Sequence, residues 1–143
     1  MFNDEKKKVI NLGCRLNFFE SEIINGILSN KKHKKKIVVN TCAVTNNAVQ
    51  KSLQEVRKLA KHYPDKEIIV TGCASQVDKE LFKNLKNVSR VIDNKLKTVP
   101  DAYDFGNNLG EKEYEFPELL NVESKRTRAT IQIQQGCNHR CTF

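Results

Sequence analysis

The sequence predicts an α/β domain, a parallel sheet with helices on both faces. Short β-branched runs recur at near-even distance along the chain, and apolar residues at helical spacing fall between them. The runs are Lys8-Val9-Ile10-Asn11-Leu12, Ile37-Val38-Val39-Asn40 and Ile68-Ile69-Val70-Thr71. Each is apolar on nearly consecutive positions. A strand covered on both faces has that pattern, whereas a strand with one wet side alternates.

The elements follow in order. After the first run, Ile23, Ile24, Ile27 and Leu28 make one apolar helix face. After the second, Val49, Leu53, Val56 and Ala60 repeat at helical intervals, with Thr45 or Asn46 able to cap the helix start. After the third, Leu81, Phe82 and Leu85 predict another helix, with Asp78 at its start, and Val88 to Ile92 reads as a fourth strand. Strands and helices alternating at this length imply right-handed crossovers, an order resembling a flavodoxin-like domain. The run Lys31-Lys32-His33-Lys34-Lys35-Lys36 reads as a solvated loop at the opposite edge of the sheet from the cysteines. Periodicity fades after Thr98, where Pro100, Gly106, Gly110 and Pro117 interrupt it. It returns in the alternating run Ala129 to Gln134, a strand leading into Gly136-Cys137. These breaks divide the chain into a domain over 1–103, a linker over 104–127 and the start of a second unit over 128–143.

Composition limits the function. The chain has 143 residues, 38% of them hydrophobic and 29% charged, enough for one modest core. A net charge of +8 favours an acidic partner such as a folded RNA, and a lysine-rich solvated surface is the plainer reading of the same charge. Nothing approaches the roughly 20 apolar residues of a membrane span, and the charged start from Met1 to Lys8 lacks a secretory apolar core. The expected setting is the cytoplasm with reduced thiols, where dispersed cysteines point to metal or catalysis.

Cys14, Cys42 and Cys73 carry the chemistry. Each follows its strand at the same offset. In a parallel sheet those positions gather at the carboxyl edge, where open α/β sheets place ligands, and neighbouring strands lie only about 4.8 Å apart. A single cysteine after a strand is an ordinary small core residue. Three in register point to a shared inorganic centre. Gly13 and Gly72 precede two of them and give the backbone freedom for a tight turn. Helix amino ends nearby would lower the thiol pKa. Closed structural zinc sites want four ligands, and neither His33 nor His62 is placed to be the fourth, but zinc stays open as the competing metal. Cys137 and Cys141 form a second set with C-x3-C spacing. Its continuation as C-x3-C-x2-C would put a third cysteine immediately after Phe143.

The segments Gly13-Cys14-Arg15-Leu16-Asn17, Glu20-Ser21-Glu22, Asn40-Thr41-Cys42-Ala43-Val44-Thr45, Thr71-Gly72-Cys73-Ala74 and Gln135-Gly136-Cys137-Asn138-His139-Arg140-Cys141 resemble the radical S-adenosylmethionine methylthiotransferases. The wording around Cys14 and Cys42 looks like the branch acting on threonylcarbamoyladenosine in tRNA. The resemblance implies that Cys14, Cys42 and Cys73 hold an auxiliary [4Fe-4S] cluster. It implies that Cys137, Cys141 and a further cysteine hold a second [4Fe-4S] cluster that binds S-adenosylmethionine. The implied activity is a transferase reaction, methylthiolation of the modified adenosine next to the anticodon, with tRNA as substrate and a reducing system as partner. On this reading residues 128–143 begin a truncated radical barrel, and the 143-residue chain alone is expected to be inactive. Methylthiotransferases of other branches and a non-catalytic basic RNA-binding module are the alternatives.

Overall fold

The computed structural model describes residues 8–104 and 132–134. Four parallel strands lie in chain order across one sheet: β1 (Val9–Asn11), β2 (Lys36–Thr41), β3 (Glu67–Gly72) and β4 (Val88–Val91). Helices α1 (Arg15–Leu28), α2 (Asn46–His62), α3 (Cys73–Val77) and α4 (Lys79–Lys83) fill the connections, with short 3-10 turns at Lys31–His33 and Pro100–Tyr103. The α/β class with a parallel sheet is the one the sequence predicts. Strands β2 and β3 form its centre, paired over their full length from Lys36 opposite Glu67 to Thr41 opposite Gly72. Strand β1 pairs with β2 from Val9 opposite Val38 to Asn11 opposite Asn40. A register shift between Ile68 and Ile69 admits β4 on the other side.

Alternation along the central strands divides the core in two. Ile37, Val39, Ile68 and Val70 face Leu53, Val56, Leu59 and Ala60 of α2, together with Ala74 of α3 and Phe82 of α4. Val38 and Ile69 face the other way, against Ile24 and Leu28 of α1, Ile92, Ala102 and Tyr103. Every residue of β2 is buried as a result, which is why its sequence is a continuous apolar run before Asn40. Each fully buried aliphatic side chain contributes about 1.5–3 kcal/mol.

Two expectations need correction. With the strands in consecutive order, crossovers of one hand would all lie on one face. Helix α1 covers the face opposite α2, α3 and α4, so the β1–α1–β2 crossover has the opposite hand to the other two. The basic run is also not wholly solvated. Lys31, Lys32, Lys34 and Lys35 are exposed, but His33 and Lys36 are buried. Lys36 is the first residue of β2 and its ammonium donates to the Tyr103 carbonyl.

The fading of periodicity after Thr98 does not end the ordered chain. The Pro100–Tyr103 turn puts Ala102 and Tyr103 into the core. The Tyr103 hydroxyl donates to the Lys97 carbonyl at 2.5 Å, and Arg90 donates to the carbonyls of Ala102 and Asp104 at 2.8 and 3.1 Å. Half of the expected strand before Cys137, Cys137 and Cys141 themselves, and nearly all of the expected linker and second unit lie outside the described residues. Within that strand, residues 132–134 have no regular structure.

Candidate metal centre

The three early cysteines stand at the carboxyl edge, one beyond each of β1, β2 and β3. Cys14 is the N-cap of α1, Cys42 follows the last residue of β2, and Cys73 is the first residue of α3. Register brings their turns side by side, since Asn11 pairs with Asn40 and Thr41 with Gly72. The Leu12 amide continues the β1 ladder by donating to the Asn40 carbonyl at 3.0 Å. Exposure grades across the set: Cys14 is exposed, Cys73 half-buried and Cys42 buried.

The expectation of a lowered thiol pKa fails at Cys73. Burial pushes this thiol above the ordinary thiol range. Lys97 opposes the shift, while Cys14, Cys42 and Glu20 reinforce it. The mutual influence of the three sulfurs shows that they share one electrostatic neighbourhood.

Among the described residues, no three Cys, His, Asp or Glu side chains are gathered closely enough to hold a single metal ion. A cluster asks for something different, because its thiolates sit on separate irons and their sulfurs stand further apart. The donor set fits such a group: three soft ligands on one edge, with Cys14 open to solvent. The two histidines among the described residues are elsewhere. His33 is buried at the far end of the sheet, 3.6 Å from Asp104, and the His62 ring nitrogen is 2.8 Å from the Lys58 carbonyl at the end of α2.

Local structure explains the glycines that precede two of the cysteines. Gly72 has φ of 99°, the left-handed side that favours glycine, and a Cβ there would lie 2.4 Å from the Thr41 carbonyl oxygen. Gly13 does not need unusual backbone freedom, contrary to expectation. It is small because a Cβ would lie 2.1 Å from Asn17 Nδ2. Thr45 caps α2 by accepting from the Ala48 amide at 3.1 Å, and Asp78 caps α4 by accepting from Leu81 at 3.0 Å.

Periodicity misses the polar layer beneath the cysteines. Asn17, Asn40, Thr41 and Ser75 are all buried there, and Glu20 forms an ion pair with Lys97 at 2.5 Å, both side chains almost wholly enclosed. Burial raises the Glu20 pKa, against the pull of Lys97 and Asn40. Two signals in the sequence mark this layer. Asn-Thr ends an otherwise apolar inner strand, and Glu20 falls at i, i+3 and i+4 to Ile23 and Ile24 on the inward face of α1.

Comparison with known proteins bears on this geometry. The family model described as Uncharacterized protein family UPF0004 matches residues 6–93. The threonylcarbamoyladenosine tRNA methylthiotransferase MtaB of Rickettsia prowazekii is 36% identical over 149 residues, covering 100% of this chain and 35% of the relative. The ribosomal protein uS12 methylthiotransferase RimO of Carboxydothermus hydrogenoformans is 33% identical, covering 94% and 35%. The tRNA-2-methylthio-N(6)-dimethylallyladenosine synthase of Thermodesulfovibrio yellowstonii is 32% identical, covering 92% and 35%. The chain thus spans about a third of the length of the curated relatives it matches. No solved structure matches it.

Proposed function

The chain belongs to the family described as Uncharacterized protein family UPF0004, the domain it shares with methylthiotransferases, and from that membership we propose that it forms the amino-terminal part of a radical S-adenosylmethionine enzyme that methylthiolates threonylcarbamoyladenosine in tRNA. The observation that carries this reading is the set Cys14, Cys42 and Cys73 on one sheet edge, Cys42 and Cys73 directly after β2 and β3 and Cys14 further out, as the N-cap of α1. These residues would hold an auxiliary [4Fe-4S] cluster, and Cys137 and Cys141 would contribute to a second that binds S-adenosylmethionine. With three thiolates, the auxiliary cluster would keep one iron open for the sulfur that is transferred.

Buried Cys42 after β2, half-buried Cys73 at the start of α3 and exposed Cys14 at the N-cap of α1 would be the ligands of that group. Burial raises the Cys73 pKa, so its ligation would release a proton to solvent. The positive balance of the chain suits a tRNA partner.

Anaerobic reconstitution with iron and sulfide tests the ligand set. About four irons per chain are expected in the auxiliary site, and replacing Cys14, Cys42 and Cys73 together with Ala abolishes their uptake. Unchanged uptake in the triple variant would overturn the assignment, and a single zinc with no iron would replace it with a zinc site. The substrate is settled separately by mass spectrometry of tRNA from cells lacking the gene. Loss of the methylthio group from threonylcarbamoyladenosine is expected. Loss from isopentenyladenosine, or from ribosomal protein uS12, would move the chain to another branch.

A further inference from the structure

We infer that Thr41, braced by Asn17, is a positioning clamp that ties the three cysteine turns together and holds their thiols in place for one cluster. The inference rests on the reading of Cys14, Cys42 and Cys73 as a single ligand set. Thr41 ends β2 directly before Cys42, and its hydroxyl and carbonyl reach the turns of both other cysteines. The hydroxyl donates to the Thr71 carbonyl at 2.7 Å, on the strand leading to Cys73. It also accepts from the Ser75 amide at 3.2 Å.

The second bond supplies something α3 cannot supply for itself. The first amides of a helix lack partners within it. Gly72, the N-cap of α3, has no side chain to offer, so the neighbouring strand caps the helix that starts at Cys73. On the other side, the Thr41 carbonyl accepts from Asn17 Nδ2 at 2.8 Å. Asn17 lies in the first turn of α1, the helix that Cys14 caps. Asn40 adds a return strut, donating to the Asn17 carbonyl at 2.9 Å. Thr41 and Asn40 are fully buried, Asn17 and Ser75 nearly so, so water does not compete for these bonds.

The two glycines support the same reading from an independent direction. The space a Gly13 Cβ would need is filled by the Asn17 amide, and the space a Gly72 Cβ would need is filled by the Thr41 backbone. Both turns are drawn up against the clamp so closely that only glycine fits before the cysteine.

The Thr41→Val variant keeps the β-branched shape of the strand residue and removes both hydroxyl bonds. We expect it to retain the circular dichroism spectrum of the wild-type chain but to lose reconstituted cluster to a chelator about tenfold faster or more, the scale that follows removal of an outer-shell partner. A changed electron paramagnetic resonance spectrum of the reduced cluster should accompany the loss, and Thr41→Ser should restore both. A folded Thr41→Val chain with wild-type retention and spectrum would overturn the clamp. Should Thr41→Val not fold, Asn17→Ala, which cuts only the brace to α1, decides by the same two readouts. If neither variant folds, the residues serve the fold at large and the positioning role is overturned. Failure of the ligand reading itself looks different: the wild-type chain takes up no iron, or the triple Cys→Ala variant takes up as much.

Discussion

His33 shows how far a single residue's setting can depart from its sequence neighbourhood. Flanked by lysines, it nevertheless points inward and is 2% exposed. Burial holds its pKa below the ordinary value of about 6.5. Lys36, Lys32 and Lys8 push the same way, and Asp104 pulls upward. Because the folded state disfavours the proton, this residue's contribution to stability is complete above about pH 6.5 and is lost as the pH falls toward the lowered folded value. Urea unfolding at pH 7.5 and 5.5 should show a drop in midpoint for the wild-type chain, and His33→Gln should flatten it. An equal drop in the variant would assign the slope to other groups.

The two sorts of glycine are legible only at the scale of elements. Gly72 joins β3 to α3 with a positive φ and backbone atoms where a Cβ would go. Gly72→Ala should therefore cost at least about 1–3 kcal/mol, the range for a forced backbone conformation. Gly26 lies within α1 with nothing within 4 Å of its would-be Cβ, so Gly26→Ala should stabilise by about 0.5–1 kcal/mol. Denaturant titration of the two variants checks both signs. The sequence separates elements well wherever apolar spacing is strong: the four strands and α2 stand where Val, Ile and Leu recur. It does not show α3, five residues long and without an apolar stripe. The opposite hand of the first crossover is hidden for another reason. It depends on which face α1 covers, and β2 is apolar toward both faces, so its pattern fits either choice. The cysteine positions were readable because strand ends are readable. The clamp beneath them was not, since Asn17 and Thr41 meet only after β1 and β2 pair.

Over the domain as a whole, the buried pair of Glu20 on α1 and Lys97 beyond β4 ties together parts of the chain far apart in sequence. Such a pair adds little compared with a well-packed apolar replacement, yet breaking it strands a charge. Lys97→Met should destabilise the domain by about 3–5 kcal/mol, while Glu20→Leu combined with Lys97→Met should recover most of that loss. Thermal or urea unfolding of the single and double variants checks this. If the double variant is as unstable as Lys97→Met alone, the ion pair is not the cause. Residues 94–104 also deliver Tyr103 beneath α1, although the family match ends at residue 93. The consequence reaches back to synthesis on the ribosome, which releases the chain from its amino end. The Glu20 carboxylate emerges long before the ammonium that will neutralise it. Until the stretch through Asp104 has cleared the exit tunnel, α1 packs on the sheet without Ala102 and Tyr103, and its seat is only part-built.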